Sequence, residues 1–223
     1  MSEGSAGGGL PQGSTGLVVF VTGTGTEVGK TWVTAELARQ LRGLGLAVAA
    51  RKPVQSFDPD QAGPTDAEVL AAATGQRPED VCSPECSYAM PLAPPMAACR
   101  LGRRCPTIED LAAGCRFVEG TDVGFVEGVG GLYSPLAADG HNLDLIERLA
   151  PGLVIVVASA DLGGIHDATA ATVPLGTHPH AIFLNRFDSA TEIHALNLDW
   201  LRRSGLQVAA TVTELANIVP TPS

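Results

Sequence analysis

The chain has 223 residues, a formal charge of −10 and an isoelectric point near 4.8. This length can bury a sizeable core and predicts one α/β domain. The acidic balance argues against a nucleic-acid partner, which needs clustered Lys and Arg; no apolar run approaches the roughly 20 residues that cross a bilayer; and the first residues lack a secretory layout, so a cytoplasmic protein is expected.

Residues 1–16 are rich in Gly and Ser, which predicts a disordered tail ahead of a single domain over residues 17–223. Residues 17–21, Leu-Val-Val-Phe-Val, are a run of the kind that forms a buried strand. Thr22-Gly23-Thr24-Gly25-Thr26-Glu27-Val28-Gly29-Lys30-Thr31 follows, and then apolar residues at helical spacing (Trp32, Val33, Ala35, Leu37, Ala38, Leu41) up to Gly43. Strand, glycine-rich loop and helix form a phosphate-binding arrangement. The glycines let backbone N–H groups turn inward, and the positive end of the helix adds to them. Lys30 then reaches the terminal phosphates and Thr31 a Mg²⁺ ion. The spacing departs from the standard motif, because Thr24 stands where its first glycine belongs and Gly23 is one residue too far back. The plain alternative is a glycine-rich turn that happens to end in Gly-Lys-Thr.

Residues 46–50 predict a second strand, running into Arg51-Lys52-Pro53-Val54-Gln55-Ser56. Ligands of parallel sheets sit beyond the carboxyl ends of strands, which places Lys52 and Ser56 beside the phosphate loop. Of 14 basic residues only Lys30 and Lys52 are lysines. Where charge alone suffices this chain uses Arg, so lysine at these positions points to a compact ammonium that a planar guanidinium does not replace. Residues 57–64 read as a loop and 65–74 as a helix capped by Thr65. Asp66 is then either a first-turn carboxylate or a Mg²⁺ ligand. Residues 76–106 show little periodicity and read as an irregular excursion of the kind that lines a pocket. Cys82, Cys86, Cys99, Cys105 and Cys115 contain no C-x-x-C pair and are odd in number, so they are read as reduced and incidental, with a Cys82/Cys86 metal pair as the alternative.

Residues 107–119 predict a helix opened by the capping pair Thr107 and Asp110. Residues 123–126 predict a third strand that ends in Glu127-Gly128-Val129-Gly130-Gly131. An acid at a strand end beside such a loop is placed to hold Mg²⁺; the alternative is a turn glutamate at a glycine-rich bend. A helix over 142–149, a central strand over 153–158, a helix following Asp161-Leu162-Gly163-Gly164-Ile165-His166-Asp167, a strand over 181–184 ending in Asn185-Arg186, a helix over 189–203 and a last strand over 207–212 complete the chain. The alternation predicts an α/β fold in three layers, a mostly parallel sheet with helices on both faces.

With the loop, Lys52-Pro53-Val54, Asp66 and Val126-Glu127-Gly128-Val129-Gly130-Gly131 together, the chain resembles the dethiobiotin synthetases, whose Thr-Gly-Thr-x-Thr-Glu-Val-Gly-Lys-Thr loop carries the same extra residue. The resemblance covers about residues 17–190 and implies a P-loop NTPase fold. It also implies a homodimeric, ATP- and Mg²⁺-dependent ligase that converts 7,8-diaminopelargonate and CO₂ to dethiobiotin through a carbamate and a carbamic-phosphoric anhydride. By matching position, Gly25, Thr26, Glu27, Val28, Gly29, Lys30 and Thr31 would hold the nucleotide phosphates and Asn185 the adenine. Thr31, Asp66 and Glu127 would hold Mg²⁺, and Lys30, Lys52, Thr26 and Glu27 would serve the chemistry. Ser56, Gly128, Gly130, Gly131, Leu162 and His166 would line the substrate, the last two near a subunit boundary. The chain departs from the family at Phe57, which stands in a glycine place, at Pro95 in the stretch Pro91-Leu92-Ala93-Pro94-Pro95, and at His166 and Asp167, which replace Asn and His. It also ends soon after Thr211-Val212-Thr213-Glu214, where a terminal helix is expected to be missing. The alternatives are a ligase of the same mechanism acting on another amine or carboxylate, and a ParA-like nucleotide-binding partner protein, whose loop normally carries a further lysine that is absent here.

Overall fold

The computed structural model describes residues 16–220. Apart from Gly16, the tail expected over residues 1–16 lies outside them. In chain order the elements are β1 (Leu17–Gly23), α1 (Lys30–Gly43), β2 (Val48–Arg51), β3 (Gln55–Ser56), α2 (Asp66–Thr74), α3 (Pro78–Val81), β4 (Ser87–Tyr88), α4 (Pro94–Arg100), α5 (Ile108–Gly114), β5 (Val123–Gly131), α6 (Asn142–Leu149), β6 (Leu153–Ser159), α7 (Gly164–Thr172), β7 (His180–Asn185), α8 (Glu192–Arg203), β8 (Val208–Ala209) and α9 (Val212–Ile218). No helix among the described residues is long and apolar enough to cross a membrane.

Six strands form one parallel sheet in the order β2-β5-β1-β6-β7-β8. The two most apolar runs, β1 and β6, pair at its centre and are buried on both faces, as parallel strands under helices must be. Side chains alternate across the sheet. Val19, Val21, Phe125, Ile155 and Val157 pack with Val33, Leu37, Leu41, Leu70 and Leu215 under α1, α2 and α9. Phe20, Val126, Val154 and Val156 pack on the opposite face with Leu111, Leu145 and Ile146 of α5 and α6. Farther along that face Ala158, Ile182 and Leu184 meet Ala168 of α7 and Leu201 of α8. Burying each large aliphatic side chain of this kind stabilises the fold by about 1.5–3 kcal/mol.

Several boundaries differ from the sequence expectation. β5 does not stop at Val126 but runs on to Gly131, because its pairing with β1 resumes at Gly23 opposite Gly131 after a bulge. The 76–106 stretch holds α3, β4 and α4; Pro94 and Pro95 stand in the first turn of α4, where the missing N–H groups cost nothing. The helix expected to Glu119 ends at Gly114. The last strand is only Val208–Ala209, and a terminal helix is present: α9 starts at Val212, capped by Thr211 accepting from the Glu214 amide, and packs on α1.

All five cysteines are free thiols. Burial pushes Cys82 and Cys115 up to about 12. The thiolate is the reactive form, and a thiol below its pKa holds little of it. Alkylation of the folded protein at about pH 8 is therefore expected to label exposed Cys99 first while Cys82 and Cys115 resist; equal labelling rates, read by mass spectrometry, would contradict this.

Candidate active site

Strand alternation sets the site. Val123 and Phe125 point to the α1 face, so Glu127, the next residue of that parity on β5, does too. Val48 and Ala50 do the same for Lys52 just past β2, and Ala181 and Phe183 for Asn185 at the end of β7. The core pattern thus carries an acid, an ammonium and an amide to the N-terminus of α1.

That terminus is left open for a ligand. α2 and α5 begin with full capping boxes, Thr65 with Glu68 and Thr107 with Asp110. α1 has Gly29 as its N-cap, with no capping side chain and no acid in its first turn. Its first amides have no intrahelical acceptor, and the helix dipole adds positive potential there, which together make an anion site. Gly29 is held at φ 92°, and a Cβ on it would lie 2.1 Å from Asn185 Nδ2. Asn185 Nδ2 in turn donates to Val28 O at 2.9 Å. Glycine is required at 29 on both counts. Gly25, in contrast, has open space where a Cβ would go and no left-handed φ; the second left-handed residue of the loop is Glu27, at φ 58°.

Beneath the loop, Thr31 Oγ1 lies 2.8 Å from Asp66 Oδ1 and 2.8 Å from Glu127 Oε1. Thr31 has one hydrogen and donates to only one of them at a time. Three oxygens converging on so few protons suit a hard cation. Among the described residues no three His, Cys, Asp or Glu side chains form a metal cluster, so a cation here would have two carboxylates and one hydroxyl, leaving positions for phosphate oxygens and water as Mg²⁺ prefers. The residues fit Mg²⁺, and the open helix end beside them fits a nucleotide phosphate.

Lys52 is 2% exposed, with Nζ 2.7 Å from Glu127 Oε1, 2.8 Å from Asp66 Oδ2 and 3.1 Å from Gly128 O. All three ammonium hydrogens are used. Burial by itself would lower this lysine, but the Glu127 and Asp66 charges outweigh it and raise its pKa. Burial likewise disfavours the Asp66 carboxylate, and Lys52 beside it reverses the effect and lowers its pKa. Lys30 shows the opposite balance: burial first, and then Lys52, bring it down to about 8. Its Nζ rests on Gly25 O at 3.0 Å, folded back on the loop.

Thr26, Glu27, Gly29, Lys30, Thr31, Lys52, Ser56, Asp66 and Gly130 line one cleft of about 680 Å³, joined by Phe57 and Arg186. Gly25, Val28 and Gly128 contribute the carbonyls that receive Lys30, Asn185 and Lys52, and the Gly131 amide donates to Ser134 Oγ at 2.9 Å. Leu162 and His166 are not brought into the cleft; both are exposed at the start of α7, Leu162 at 89%. A larger hollow, about 920 Å³, opens at the amino end of β2 between Arg42, Leu46 and Val118, and none of the candidate residues lines it.

Three contributors escaped the sequence reading. Thr34, one turn after Thr31, donates to Lys30 O or Glu127 Oε2, each at 2.9 Å, and its place as a polar residue on the buried stripe of α1 was the available signal. Asn142 is fully buried under the glycine loop; its Oδ1 accepts the Val129 amide at 3.1 Å and its Nδ2 donates to Val129 O and Gly131 O at 2.5 and 2.6 Å. Arg186 is left-handed at φ 56° and leans on Glu27 O at 3.4 Å, so two strained non-glycine residues face each other across the cleft mouth. Neither Asn142 nor Arg186 lies in a motif.

A family model described as an AAA domain matches residues 18–217. The ATP-dependent dethiobiotin synthetase BioD of Caulobacter vibrioides is 46% identical over 201 residues, which cover 87% of this chain and 78% of that protein. The protein of the same name from Methylobacterium nodulans is 42% identical over 178 residues, covering 74% of this chain and 77% of that one. Among solved structures, the signal recognition particle receptor FtsY of Elizabethkingia anophelis superposes with a TM-score of 0.52 at 17% identity, over 92% of this chain and 66% of that one, a likeness of fold.

Proposed function

Because the chain belongs to the family of ATP-dependent dethiobiotin synthetases, we propose that it is the ligase of biotin biosynthesis that closes 7,8-diaminopelargonate and CO₂ into dethiobiotin. In this reading residues 17–223 act as one catalytic unit, in the cytoplasm and as a homodimer that brings Leu162 and His166 of one protomer to the substrate of the other.

The observation that carries the proposal is the convergence of Lys52, Asp66, Glu127 and Thr31 on one point below the open end of α1. One substrate amine adds to CO₂ to give a carbamate, the γ-phosphoryl group of ATP converts it to the mixed anhydride with release of ADP, and the second amine closes the ring and expels phosphate. The amines and CO₂ react as neutral molecules, but the carbamate, the γ-phosphate and the mixed anhydride are anionic where they react. In this reading Lys52, fixed by two carboxylates, turns the hydrogen it gives Gly128 O to the carbamate oxygens. Lys30 leaves Gly25 O for the phosphates, and the first amides of α1 receive them. Mg²⁺, held by Thr31, Asp66 and Glu127, would neutralise phosphate charge when bound. Gly128 and Gly130 keep the backbone of β5 close enough to meet the substrate, and Asn142 fixes that loop from below.

The test is ADP release from Mg-ATP with the diamine and CO₂ supplied or withheld. Release that needs both is expected; release no faster than the substrate-free rate would overturn the proposal. A ligase of the same mechanism on a different amine is favoured by one observation, that Phe57 lines the cleft at a family glycine position. A panel of diamines in the same assay separates the two.

A further inference from the structure

We propose that His194 is a positioning residue, which ties the turn over residues 161–164 to the nucleotide side of the molecule and thereby sets the affinity for the second substrate. It depends on the reading above only for which ligand meets that turn.

His194 is 7% exposed in the first turn of α8, and both ring nitrogens are engaged. Nδ1 accepts the Asp188 amide hydrogen at 3.0 Å, so Nε2 carries the proton and donates to Asp161 Oδ1 at 3.0 Å. Asp161 Oδ2 accepts from Ser159 Oγ at 2.6 Å. One turn farther along α8, Asn197, 5% exposed, donates to Ala160 O at 2.9 Å and to Asp161 O at 3.0 Å. A surface acid is thus gripped by two buried polar side chains beside the apolar cluster of Ile182, Leu184 and Leu201. Apolar residues there would give a simpler core, and a buried polar group stays only where its partners are in place. What the polar pair fixes is the geometry of one turn.

That turn has little freedom left. Gly163 stands at φ 93°, and a Cβ on Gly164 would lie 2.3 Å from Ser159 O. It presents Leu162 and leads to His166, two expected substrate residues that are exposed to solvent and lie outside the cleft of their own chain. At its other end the clamp starts from Asp188, three residues beyond Asn185, whose amide holds the phosphate loop at Val28 O. The two loops leave β6 and β7 just beyond the paired residues Ser159 and Asn185, and past that last pair one imidazole links them.

The experiment compares His194→Ala, His194→Gln and Asp161→Ala in the full chain, by steady-state kinetics and by hydrogen exchange without substrate. For His194→Ala the diamine KM is expected to rise about tenfold with the ATP KM within about twofold, and exchange over residues 160–167 to quicken about tenfold with residues 25–31 unchanged. His194→Gln, which keeps an N–H near the Nε2 position, restores most of both. Asp161→Ala, altering only an exposed side chain, reproduces the His194→Ala pattern even should that protein fold poorly. Equal rises in both KM values, or unchanged exchange over 160–167, would overturn the positioning role. Faster exchange with an unchanged diamine KM would overturn its link to the substrate, and a wild type inactive on the diamine would refute the proposed reaction while exchange still decides the clamp.

Discussion

The Lys52→Arg protein is expected to bind ATP within about threefold of wild type and to turn over at least about a thousandfold more slowly. The substitution keeps the charge and changes its shape, which isolates geometry from electrostatics. Lys52 Nζ is a point donor to three acceptors at 2.7, 2.8 and 3.1 Å in a site that leaves it 2% exposed. A guanidinium is planar, longer and forked, so it pairs with Glu127 and Asp66 in another geometry and no longer aims a single N–H at the carbamate. Removing the charge altogether is a poorer test, because an unpaired buried Glu127 would destabilise the fold by about 3–5 kcal/mol. ATP affinity by calorimetry and kcat by ADP release check the expectation; turnover within tenfold of wild type would refute the role of Lys52.

The second large effect is at Gly29. Gly29→Ala is expected to weaken ATP binding by about a hundredfold, whereas Gly25→Ala stays within about twofold. The alanine meets two obstacles at once: a backbone at φ 92°, which costs an L-residue about 1–2 kcal/mol, and Asn185 Nδ2 at 2.1 Å from its Cβ. Either the loop or Asn185 must move, and each takes the other along through the bond to Val28 O. Asn185→Ala in the Gly29→Ala background relieves the second obstacle, so part of the affinity should return. Calorimetric titration of the three proteins decides, and wild-type affinity in Gly29→Ala would sink the account of the loop.

How far the sequence led depends on where each determinant lies. Residues 142–149 were readable because apolar spacing alone fixes α6, and Thr65 and Thr107 because a capping box is a local device. α9 was legible too, in the Thr211-Val212-Thr213-Glu214 capping signature, but the β-branched residues before it argued for a longer strand. β5 outran its expected end for a reason outside its own sequence, the renewed pairing of Gly131 with Gly23. The same division holds in the site. Lys30, Thr31, Asp66 and Glu127 sit in stretches whose chemistry shows in the letters, and the last three meet within hydrogen-bond distance. Arg186 and His194 act through contacts with segments 159 and 33 residues away, which one sequence by itself does not reveal, and Asn142 reaches back to the glycine loop without any motif to mark it.

Both lysines of the chain lie inside the cleft's machinery, Lys30 at 7% and Lys52 at 2% exposure, and every other basic side chain is an arginine or a histidine. Apart from a terminal amine, the outer surface therefore offers no primary amine to an acylating reagent. Amine-directed labelling, ordinarily a blunt surface probe, becomes on this protein a census of the active centre, with Lys30 the first to report as its ammonium yields a proton near pH 8. Cross-linkers aimed at lysine would find no lysine on the outer surface, and carboxylate-directed chemistry is the practical route to mapping the chain's neighbours.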